Sequence, residues 1–336
     1  MPEIFAGSTN VLSRFTILSA WLFLAGLAGC DTQAPGDDPD PPVDACENLR
    51  FTGPAEPEAP LTGRILFSSR RTGTWQLYTM NPDGSALRQL TFFKDHFVDA
   101  GRWSPDGEQI VFTSDSLGST AGTPLYLMKA DGTDIRPLKV LRVIEDEPLL
   151  QLGFWPAWSP DGTKIAFTHC LNCEAGGVNT EVLVYDFPRD IVSALTNNSV
   201  GDENPSWSPD GSQIVFVSNR NTFFELYLMD ADGKNQHRLT FKESIATAPI
   251  WSPDGEWIAL ALRGELHLFH IDCETMMPIE VSVPGDKLIP VAWSPDGRKL
   301  LVISRSLHLY LVDVASEEIT RLLEDDEVLF ADWSRQ

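Results

Sequence analysis

The sequence predicts an all-β protein, a six-bladed β-propeller of four-stranded antiparallel blades in which the C-terminal strand joins the N-terminal blade. Two observations support this prediction. The pentapeptide WSPDG occurs five times, at residues 103–107, 158–162, 207–211, 251–255 and 293–297. Each copy is followed by the same order of short apolar segments. A tryptophan motif that returns every 40 to 55 residues has the spacing of propeller blades.

The segments between the motifs alternate between apolar and polar residues, which is the pattern of half-buried strands. In the copy that starts at Trp207, the motif is followed by QIVFVS (213–218), by ELYLM (225–229) and by a segment that ends in RLT (238–240). A fourth segment leads into each motif Trp. We therefore expect four strands per blade, named A to D in chain order, with strand A ending at the Trp.

The repeated motif itself has the composition of a tight turn. Pro presets φ at the first central position, Asp suits the second, and Gly accepts the left-handed conformation that closes a hairpin. Similar turns are expected between strands C and D at NPDG (81–84), KADG (129–132) and DADG (230–233). The motif is thus predicted to be the corner between strands A and B, not an active-site loop.

The two ends of the repeat region are incomplete in complementary ways. The region begins with GRILFSS (63–69), QLYTM (76–80) and ALRQLT (86–91), which fit strands B, C and D without a preceding strand A. It ends with VLFADWS (328–334), which fits a strand A without a following B. Together the fragments make a sixth blade, and closing the ring in this way leaves no open sheet edge.

The combination of WSPDG with the IVFxSxR, LYLMxADG and RLT segments resembles the WD40-like repeat of the TolB propeller family. The resemblance covers Leu61 to Gln336. It implies a six-bladed propeller and the family's role in the cell envelope, which includes colicin uptake, envelope integrity and contact with a peptidoglycan-associated lipoprotein. The family's namesake carries an α/β domain ahead of its propeller, where this chain has a segment rich in Pro and acidic residues.

The N-terminus has the features of an export signal. Residues 15–29 are apolar or small, a run too short for a comfortable membrane span but typical of a signal peptide. The run leads into LAGC (27–30), which resembles the lipobox of bacterial lipoproteins. That resemblance implies cleavage before Cys30 and lipidation of its thiol. The alternative is an ordinary signal peptide followed by an unrelated Cys.

Residues 31–60 contain seven Pro and eight acidic residues, a composition that predicts a disordered tether. We therefore expect a lipoprotein signal peptide at 1–29, the lipidated Cys and its tether at 30–60, and the propeller at 61–336. The predicted location is a bacterial envelope membrane, where the exported and lipid-anchored protein faces the periplasm or the cell surface.

The charge of the chain restricts its partners. The formal net charge is −23, and such an acidic surface repels nucleic acids and anionic headgroups. We expect no nucleic-acid partner, and membrane contact through the lipid anchor only. The protein is expected to be a monomer that binds an envelope protein or a peptidoglycan-linked partner.

The face opposite the WSPDG corners is the predicted binding face. The connections from strand B to C and from strand D to A vary widely between repeats, for example at 114–124 and 168–181, and irregular loops on a rigid scaffold commonly carry recognition. Arginines that stand near the end of strand B are candidate donors to a carboxylate, a phosphate or an acidic partner: Arg70, Arg71, Arg220, Arg263 and Arg305. The alternative is that each Arg pairs with an acidic loop residue such as Asp202, Glu203 or Asp325.

The cysteines suit an exported protein. Of the five, lipidation of Cys30 leaves Cys46, Cys170, Cys173 and Cys273, for which three disulfide connectivities are open. Cys170 and Cys173 form a Cys-x-x-Cys sequence. A disulfide between them is the preferred interpretation in an oxidising envelope, and free thiols or a zinc site that includes His169 are the alternatives.

No cofactor or metal site is predicted. His267 and His308 occupy the same register at the start of strand C in adjacent blades, with Glu225 in the blade before. We interpret this register as a solvent-facing strand position rather than a set of metal ligands.

The sequence contains no recognisable catalytic motif, since a Gly-x-Ser-x-Gly elbow, a His-Glu-x-x-His sequence and a phosphate-binding Gly loop are all missing. The predicted function is non-enzymatic binding through the variable loops. Two alternatives remain open. One is a hydrolytic enzyme, for instance a carbohydrate-active one, with carboxylates in the central funnel, and the other is a sensor of a small ligand or a metal.

Overall fold

The structure, a computed structural model, describes residues 46, 49–51, 53, 60–116, 124–138, 153–170, 179–241, 246–323 and 327–335. The chain divides into two units, residues 1–43 and residues 44–336, and all described residues lie in the second. The predicted signal peptide and Cys30 therefore lie outside the described residues. None of the described segments forms a helix that is long and apolar enough to cross a membrane.

The described strands form six four-stranded antiparallel sheets, which confirms the predicted blades. Blade 1 joins the two ends of the chain and has the order β24 (Val328–Trp333), β1 (Ile65–Ser69), β2 (Gln76–Met80) and β3 (Arg88–Gln89). The ring is therefore closed by the C-terminal strand, as the incomplete ends of the repeat region predict.

Each of the other blades takes four consecutive strands. Blade 2 contains β4 (Val98–Trp103), β5 (Gln109–Ser114), β6 (Leu125–Lys129) and β7 (Arg136–Pro137). Blade 3 contains β8 (Phe154–Trp158), β9 (Lys164–Cys170), β10 (Thr180–Asp186) and β11 (Ile191–Ala194). Blade 4 contains β12 (Asp202–Trp207), β13 (Gln213–Asn221), β14 (Phe223–Asp230) and β15 (His237–Arg238).

Blade 5 contains β16 (Ala246–Trp251), β17 (Trp257–Leu262), β18 (Glu265–His270) and β19 (Thr275–Pro278). Blade 6 contains β20 (Leu288–Trp293), β21 (Lys299–Ser304), β22 (Leu309–Asp313) and β23 (Ile319–Arg321). The A strands contact one another around the ring in the order β24, β4, β8, β12, β16 and β20, and β20 contacts β24 again. These six inner strands surround the axis of the propeller.

The WSPDG corners have the predicted turn geometry. In the blade 4 copy, the Gly211 N–H donates to the Ser208 carbonyl at 2.9 Å, and Gly211 has a φ of 73°. The Ser208 hydroxyl donates to Asp210 Oδ1 at 2.6 Å, and this bond holds the pKa of Asp210 below its usual range. Because the Ser hydroxyl, the Asp carboxylate and the Gly N–H of the motif are all used in making the turn, the motif serves as a structural corner.

The core consists of six apolar clusters, and each cluster is formed by two adjacent blades. The centre of strand B is fully buried, and in four blades it is occupied by a Phe: Phe67, Phe112, Phe167 and Phe216. Burial of such a side chain contributes about 1.5–3 kcal/mol. Since every cluster needs both of its blades, the blades stabilise one another around the whole ring.

The end of the predicted tether is packed against the propeller. Cys46 forms a disulfide with Cys273. This pair occurs in one of the three connectivities that the sequence leaves open for the four remaining cysteines. Leu49 and Phe51 pack against the core cluster of blades 5 and 6. Burial of these two apolar side chains offsets the tendency of the surrounding Pro-rich and acidic sequence to stay solvated. The packed part of the chain therefore begins before Leu61, the predicted start of the propeller.

A charged side chain joins three blades near the corners. Arg102 of blade 2 donates through Nη1 to the Val291 carbonyl of blade 6 at 2.8 Å, and it pairs with Asp332 of blade 1 at 3.1 Å. Its guanidinium lies 4.2 Å from the ring centroid of Phe330. Burial lowers the pKa of Arg102 and raises the pKa of Asp332, and the attraction between the two opposes both shifts.

We expect Arg102→Met to lower the free energy of unfolding by about 2–4 kcal/mol, because the substitution leaves the mostly buried Asp332 carboxylate without its cation. The measurement is denaturant unfolding at pH 7, followed by tryptophan fluorescence. The double variant Arg102→Met with Asp332→Asn should recover part of the loss. A loss below about 1 kcal/mol in the single variant would show that the pair does not hold the ring together.

Candidate functional site

The two faces of the ring differ in their connections. The A-to-B and C-to-D turns lie on one face, which we call the corner face. The B-to-C and D-to-A connections lie on the opposite face, which we call the variable face, because strands alternate in direction within each antiparallel blade. Several variable-face loops fall outside the described residues, at 117–123, 139–152, 171–178, 242–245 and 324–326.

The arginines of blade 1 are engaged with neighbouring side chains. Arg70 forms an ion pair with Glu327, and both side chains are partly exposed. The Arg71 guanidinium lies 4.8 Å from the ring centroid of Tyr78 and 5.2 Å from that of Phe67. Both arginines therefore pack against their own blade at its variable-face end.

Arg220 is the most firmly held of the candidate arginines. Its Nη2 lies 2.6 Å from Oδ2 of Asp202, whose side chain is fully buried. Its guanidinium also lies 5.2 Å from the Tyr227 ring and 5.4 Å from the Phe216 ring. This ion pair is the internal contact that the alternative interpretation of the arginines expects in blade 4.

Arg263 and Arg305 lie at the tips of variable-face turns. Arg263 and Gly264, with φ values of 54° and 82°, form the two-residue turn between β17 and β18. The Arg263 side chain is exposed and forms no ion pair within the described part of the chain. Arg305 is exposed as well, and its backbone N–H donates to the Lys287 carbonyl at 2.9 Å. Arg263 is therefore an exposed arginine for which no ion pair is found within the described residues.

Besides Asp332 on β24, two carboxyls of the inner strands have raised pKa values. They are Glu203 on β12 and Asp99 on β4, at equivalent positions four residues before the motif Trp. Burial and the neighbouring Asp202 raise the pKa of Glu203 to about 8. The Glu203 Oε2 atom has no hydrogen-bond partner among the described residues. Burial raises the pKa of Asp99 to about 6, against a hydrogen bond from the Ser68 hydroxyl at 2.7 Å. Glu203 is therefore mostly protonated at neutral pH.

The sequence pointed to Glu203 only as a partner for an arginine. One feature of the sequence could have indicated that Glu203 is unusual. The strand DENPSW (202–207) contains two acidic residues, whereas the equivalent strands of blades 5 and 6 are largely apolar. That Glu203 Oε2 lacks a hydrogen-bond partner becomes visible only in the structure, because it depends on how strands that are distant in sequence pack together.

A matched pair of residues shows a second carboxyl that has one oxygen without a hydrogen-bond partner. Gln76 and Glu181 stand at the start of strand C in blades 1 and 3. Gln76 Oε1 accepts the Phe93 N–H at 3.0 Å, and its Nε2 donates to the Phe93 carbonyl at 3.0 Å. Glu181 Oε1 accepts the Asn198 N–H at 2.6 Å, but its buried Oε2 has no partner among the described residues. Burial raises the pKa of Glu181. At this position the Gln76 amide of blade 1 has hydrogen-bond partners for both its oxygen and its nitrogen, whereas the Glu181 carboxyl of blade 3 has a partner for only one oxygen.

The third residue in this register corrects a sequence prediction. Glu225 is expected to face solvent, but it is fully buried, accepts a hydrogen bond from the Thr240 hydroxyl and pairs with Arg238 at 3.2 Å. The ion pair with Arg238 and the hydrogen bond from Thr240 offset the free-energy cost of burying the Glu225 carboxylate. His267 and His308 are partly exposed. No group of three or more potential metal ligands is found within the described residues.

Cys170 is disulfide-bonded. Cys173, its predicted partner, lies outside the described residues, so the pairing stays a prediction. His169 is buried and lies directly across from Glu181 in the register of β9 and β10. The end of strand B in blade 3 therefore adds a histidine to the group of buried polar side chains at the variable-face ends of blades 3 and 4.

The inner strands also bend at a β-bulge, where a residue other than Gly adopts positive φ. These residues have φ values between 50° and 56°: Ala100, Trp155, Asn204 and Ala248. Positive φ is costly for a bulky residue such as Trp155, and bulges are common next to binding sites. Trp155 and Phe154 are both partly exposed, with ring centroids 6.1 Å apart. The inner strand of blade 3 therefore offers two aromatic rings for contact.

We expect Glu203→Gln to stabilise the protein at alkaline pH. The pKa of Glu203 rises from its usual 4.5 to about 8 on folding, so its contribution to stability is present below about pH 4.5 and is lost as the pH rises through about 8. Gln keeps the shape of the neutral carboxyl and does not ionise. At pH 8.5 the variant should be more stable by about 1–3 kcal/mol, and near pH 4.5 the two proteins should agree within about 0.5 kcal/mol.

Denaturant unfolding across this pH range is the measurement, and Glu265→Gln, at an exposed position, is the matched control. A Glu203→Gln profile that runs parallel to that of the unsubstituted protein would contradict the assignment of the buried neutral carboxyl.

Comparison with known proteins agrees with this architecture. Residues 148–277 match the model of the TolB β-propeller domain. A TolB homologue from Chlorobium chlorochromatii is 30% identical over 201 residues, which cover 59% of this chain and 40% of that protein. The chain therefore spans less than half the length of this curated relative.

Two solved structures share the fold. TolB from Acinetobacter baumannii has a TM-score of 0.66 at 22% identity, with 82% of this chain and 67% of that chain covered. Oligogalacturonate lyase from Vibrio parahaemolyticus has a TM-score of 0.55 at 16% identity, with 78% and 74% covered. At these identities the likeness is one of fold. The repeats and the closed ring show a six-bladed β-propeller, and its residues 148–277 are similar to the TolB β-propeller domain.

Proposed function

We propose that the chain is a lipid-anchored, non-enzymatic binding protein of the bacterial cell envelope, and that its propeller binds a protein or a peptidoglycan-associated partner through the variable face. One observation carries this proposal. The corner face repeats the same A-to-B turn in five of the six blades, whereas residues that depart from the repeat gather at the variable-face ends of the strands. Arg263, Glu181 and Glu203 are examples.

The charge distribution supports a polar and partly acidic partner. Arg263 and Arg305 are exposed cations on a chain whose net charge is −23. A guanidinium binds carboxylate or phosphate groups through two parallel hydrogen bonds, which an ammonium group does not match. These arginines would therefore give the variable face local attraction for an acidic group on an otherwise repulsive surface.

The proposed location follows from the LAGC sequence and Cys30. A lipidated N-terminus would hold the exported protein at an envelope membrane, facing the periplasm or the cell surface, and two or more acyl chains anchor stably where one is marginal. The TolB-like propeller supports a place in the envelope.

A second candidate function is an enzyme that acts on a carbohydrate or another hydrolysable substrate. Glu203 favours it, because a carboxyl that stays protonated at neutral pH is in the state that a general acid requires. Turnover of a glycan panel that is lost in Glu203→Gln would establish this candidate. Absence of turnover across the panel would support the binding protein.

We expect Arg263→Glu to weaken capture of the envelope partner by about tenfold, because it reverses the charge of an exposed variable-face residue. The measurement is chemical cross-linking in intact cells, followed by purification and quantification of the captured protein. Lys234→Glu, at an exposed corner-face turn of blade 4, is the matched control and should leave capture unchanged.

Substitution of an arginine that forms an ion pair distinguishes a role in stability from a role in partner binding. Arg220→Ala should lower the melting temperature, because Asp202 is then buried without its cation. If Arg263→Glu, Arg220→Ala and Arg305→Ala all leave capture unchanged, the variable-face arginines do not bind the partner.

A further inference from the structure

The inner strands of blades 3 and 4 place two aromatic rings beside polar side chains at their variable-face ends. Phe154 and Trp155 are the first two residues of β8, and Glu203 and Asn204 stand at the equivalent positions of β12. Thr168 links the two strands, because it lies across from Phe154 in the register of β8 and β9 and its hydroxyl accepts the Asn204 N–H at 3.0 Å. We call Phe154, Trp155 and Asn204 the axial patch.

The axial patch is open to solvent. Phe154, Trp155 and Asn204 are each partly exposed. In each blade, strands B, C and D lie outside strand A, and the neighbouring blades cover both sides of the sheet. The exposed parts of these side chains therefore face the axis of the ring at its variable-face end, where a ligand can reach them without any change in the blades.

Trp155 has a backbone conformation that does not favour a large side chain. Its φ is 50°, and the residues at the equivalent positions of blades 2 and 5, Ala100 and Ala248, both have a φ of 51°. Asn204 has a φ of 56°, which Asn tolerates better than most residues do. Since Ala forms the same bend, the β-bulge does not require a Trp. A costly residue at a position that Ala can fill points to a role other than folding.

Close packing beneath the axial patch holds it in place. Gly153 precedes Phe154, and a Cβ atom on Gly153 would lie 2.8 Å from Cδ2 of Phe167 and 3.1 Å from Cδ1 of Leu125. The strand therefore lies directly against the side chains of blades 2 and 3, and its backbone presents the two aromatic rings rigidly. A surface that is already ordered loses little conformational entropy when it binds a ligand.

The polar groups of the axial patch are available to a ligand. Among the described residues, neither the Trp155 indole N–H nor the Asn204 side-chain amide has a hydrogen-bond partner. The indole is a donor, and the amide both donates and accepts. Burial raises the pKa of the neighbouring Glu203 carboxyl to about 8, so this group is mostly neutral near pH 7. The patch thus combines two aromatic rings with uncharged donors and an uncharged acceptor.

We propose that the axial patch binds a neutral saccharide. The faces of a pyranose ring carry C–H groups that pack against aromatic rings, and its hydroxyl groups both donate and accept hydrogen bonds. An apolar peptide side chain would instead bury the Trp155 indole N–H and the Asn204 amide without partners, which costs free energy. This inference rests on the proposed binding function of the variable face and deepens it, because it names a glycan as part of what the peptidoglycan-associated partner presents.

The test is isothermal titration calorimetry of the full chain with two neutral probes, the β-1,4-linked tetramers of N-acetylglucosamine and of glucose. We expect at least one probe to bind with a Kd of about 1 mM or lower. Trp155→Ala should weaken this binding about tenfold, because the ring that packs against the sugar is lost. Asn204→Ala should weaken it about threefold, because the hydrogen bonds of the amide are lost.

Denaturant unfolding of the same variants distinguishes a role in ligand binding from a role in folding. Because Ala100 and Ala248 adopt the same φ as Trp155, Trp155→Ala and Asn204→Ala should unfold at the denaturant concentration of the unsubstituted protein or at a higher one.

Two further variants complete the set. If Trp155→Ala does not fold, Phe154→Thr, which copies Thr247 at the equivalent position of blade 5, takes its place and should weaken probe binding. Phe92→Ala is the matched control. Phe92 is an exposed aromatic residue that follows strand D of blade 1, outside the axial patch, so its loss should leave probe binding unchanged.

The outcomes distinguish the saccharide site from the proposed function. If neither probe binds, or if Trp155→Ala and Asn204→Ala bind as tightly as the unsubstituted protein, the site is overturned. Loss of envelope-protein capture in Trp155→Ala without any probe binding would assign the patch to a protein partner and would also overturn the inference. In these cases, capture that depends on Arg263 would leave the proposed function intact. Probe binding with the expected pattern, in a protein that captures no envelope partner, would support the site and overturn the proposed partner binding.

Discussion

Closure of the ring is the interaction on which the rest of this structure depends. Every apolar cluster of the core is shared by two adjacent blades, so no blade buries its side chains alone. The strands that meet at the closure, β24 and β1, come from opposite ends of the repeat region. The Ser334 N–H donates to the Arg64 carbonyl at 2.9 Å, and the Trp333 indole donates to the Thr62 carbonyl at 2.8 Å. Arg102 adds a polar link from blade 2 to blades 1 and 6.

The same residue types recur at equivalent structural positions in several blades. The Thr that follows a Leu at the end of strand D is an example in blades 1, 3 and 4, since Thr91, Thr196 and Thr240 each accept a backbone N–H at the start of strand C at 2.9–3.0 Å. Oε2 of Glu181 and Oε2 of Glu203 do not stabilise the fold, because burying an oxygen atom without a hydrogen-bond partner costs free energy. Departures from local rules of this kind are common at functional sites, and both residues lie on the part of the ring assigned to binding.

The sequence predicted the features that depend on local chemistry. Strand alternation, the Ser-Pro-Asp-Gly turns and the complementary ends of the repeat region were enough for the blade number and for the closure, because each follows from spacing and turn preference. The pairing of Cys46 with Cys273 was not predictable, since the two are 227 residues apart and the sequence leaves three connectivities open. Glu225 shares its register with His267 and His308 but is buried, because Arg238 and Thr240 provide its partners. The difference between Arg220 and Arg263 has the same origin, as only Arg220 has a buried carboxylate beside it.

The division into a structural corner face and a binding variable face is tested most directly by hydrogen–deuterium exchange of the propeller, alone and with the partner captured by cross-linking. The account predicts slower exchange in the complex at the variable-face turns 219–225 and 262–266. Exchange at the corner-face turns 230–235 and 252–257 should remain unchanged. Protection confined to the corner-face turns would contradict the account, because it would place the partner on the face that the repeated turns form.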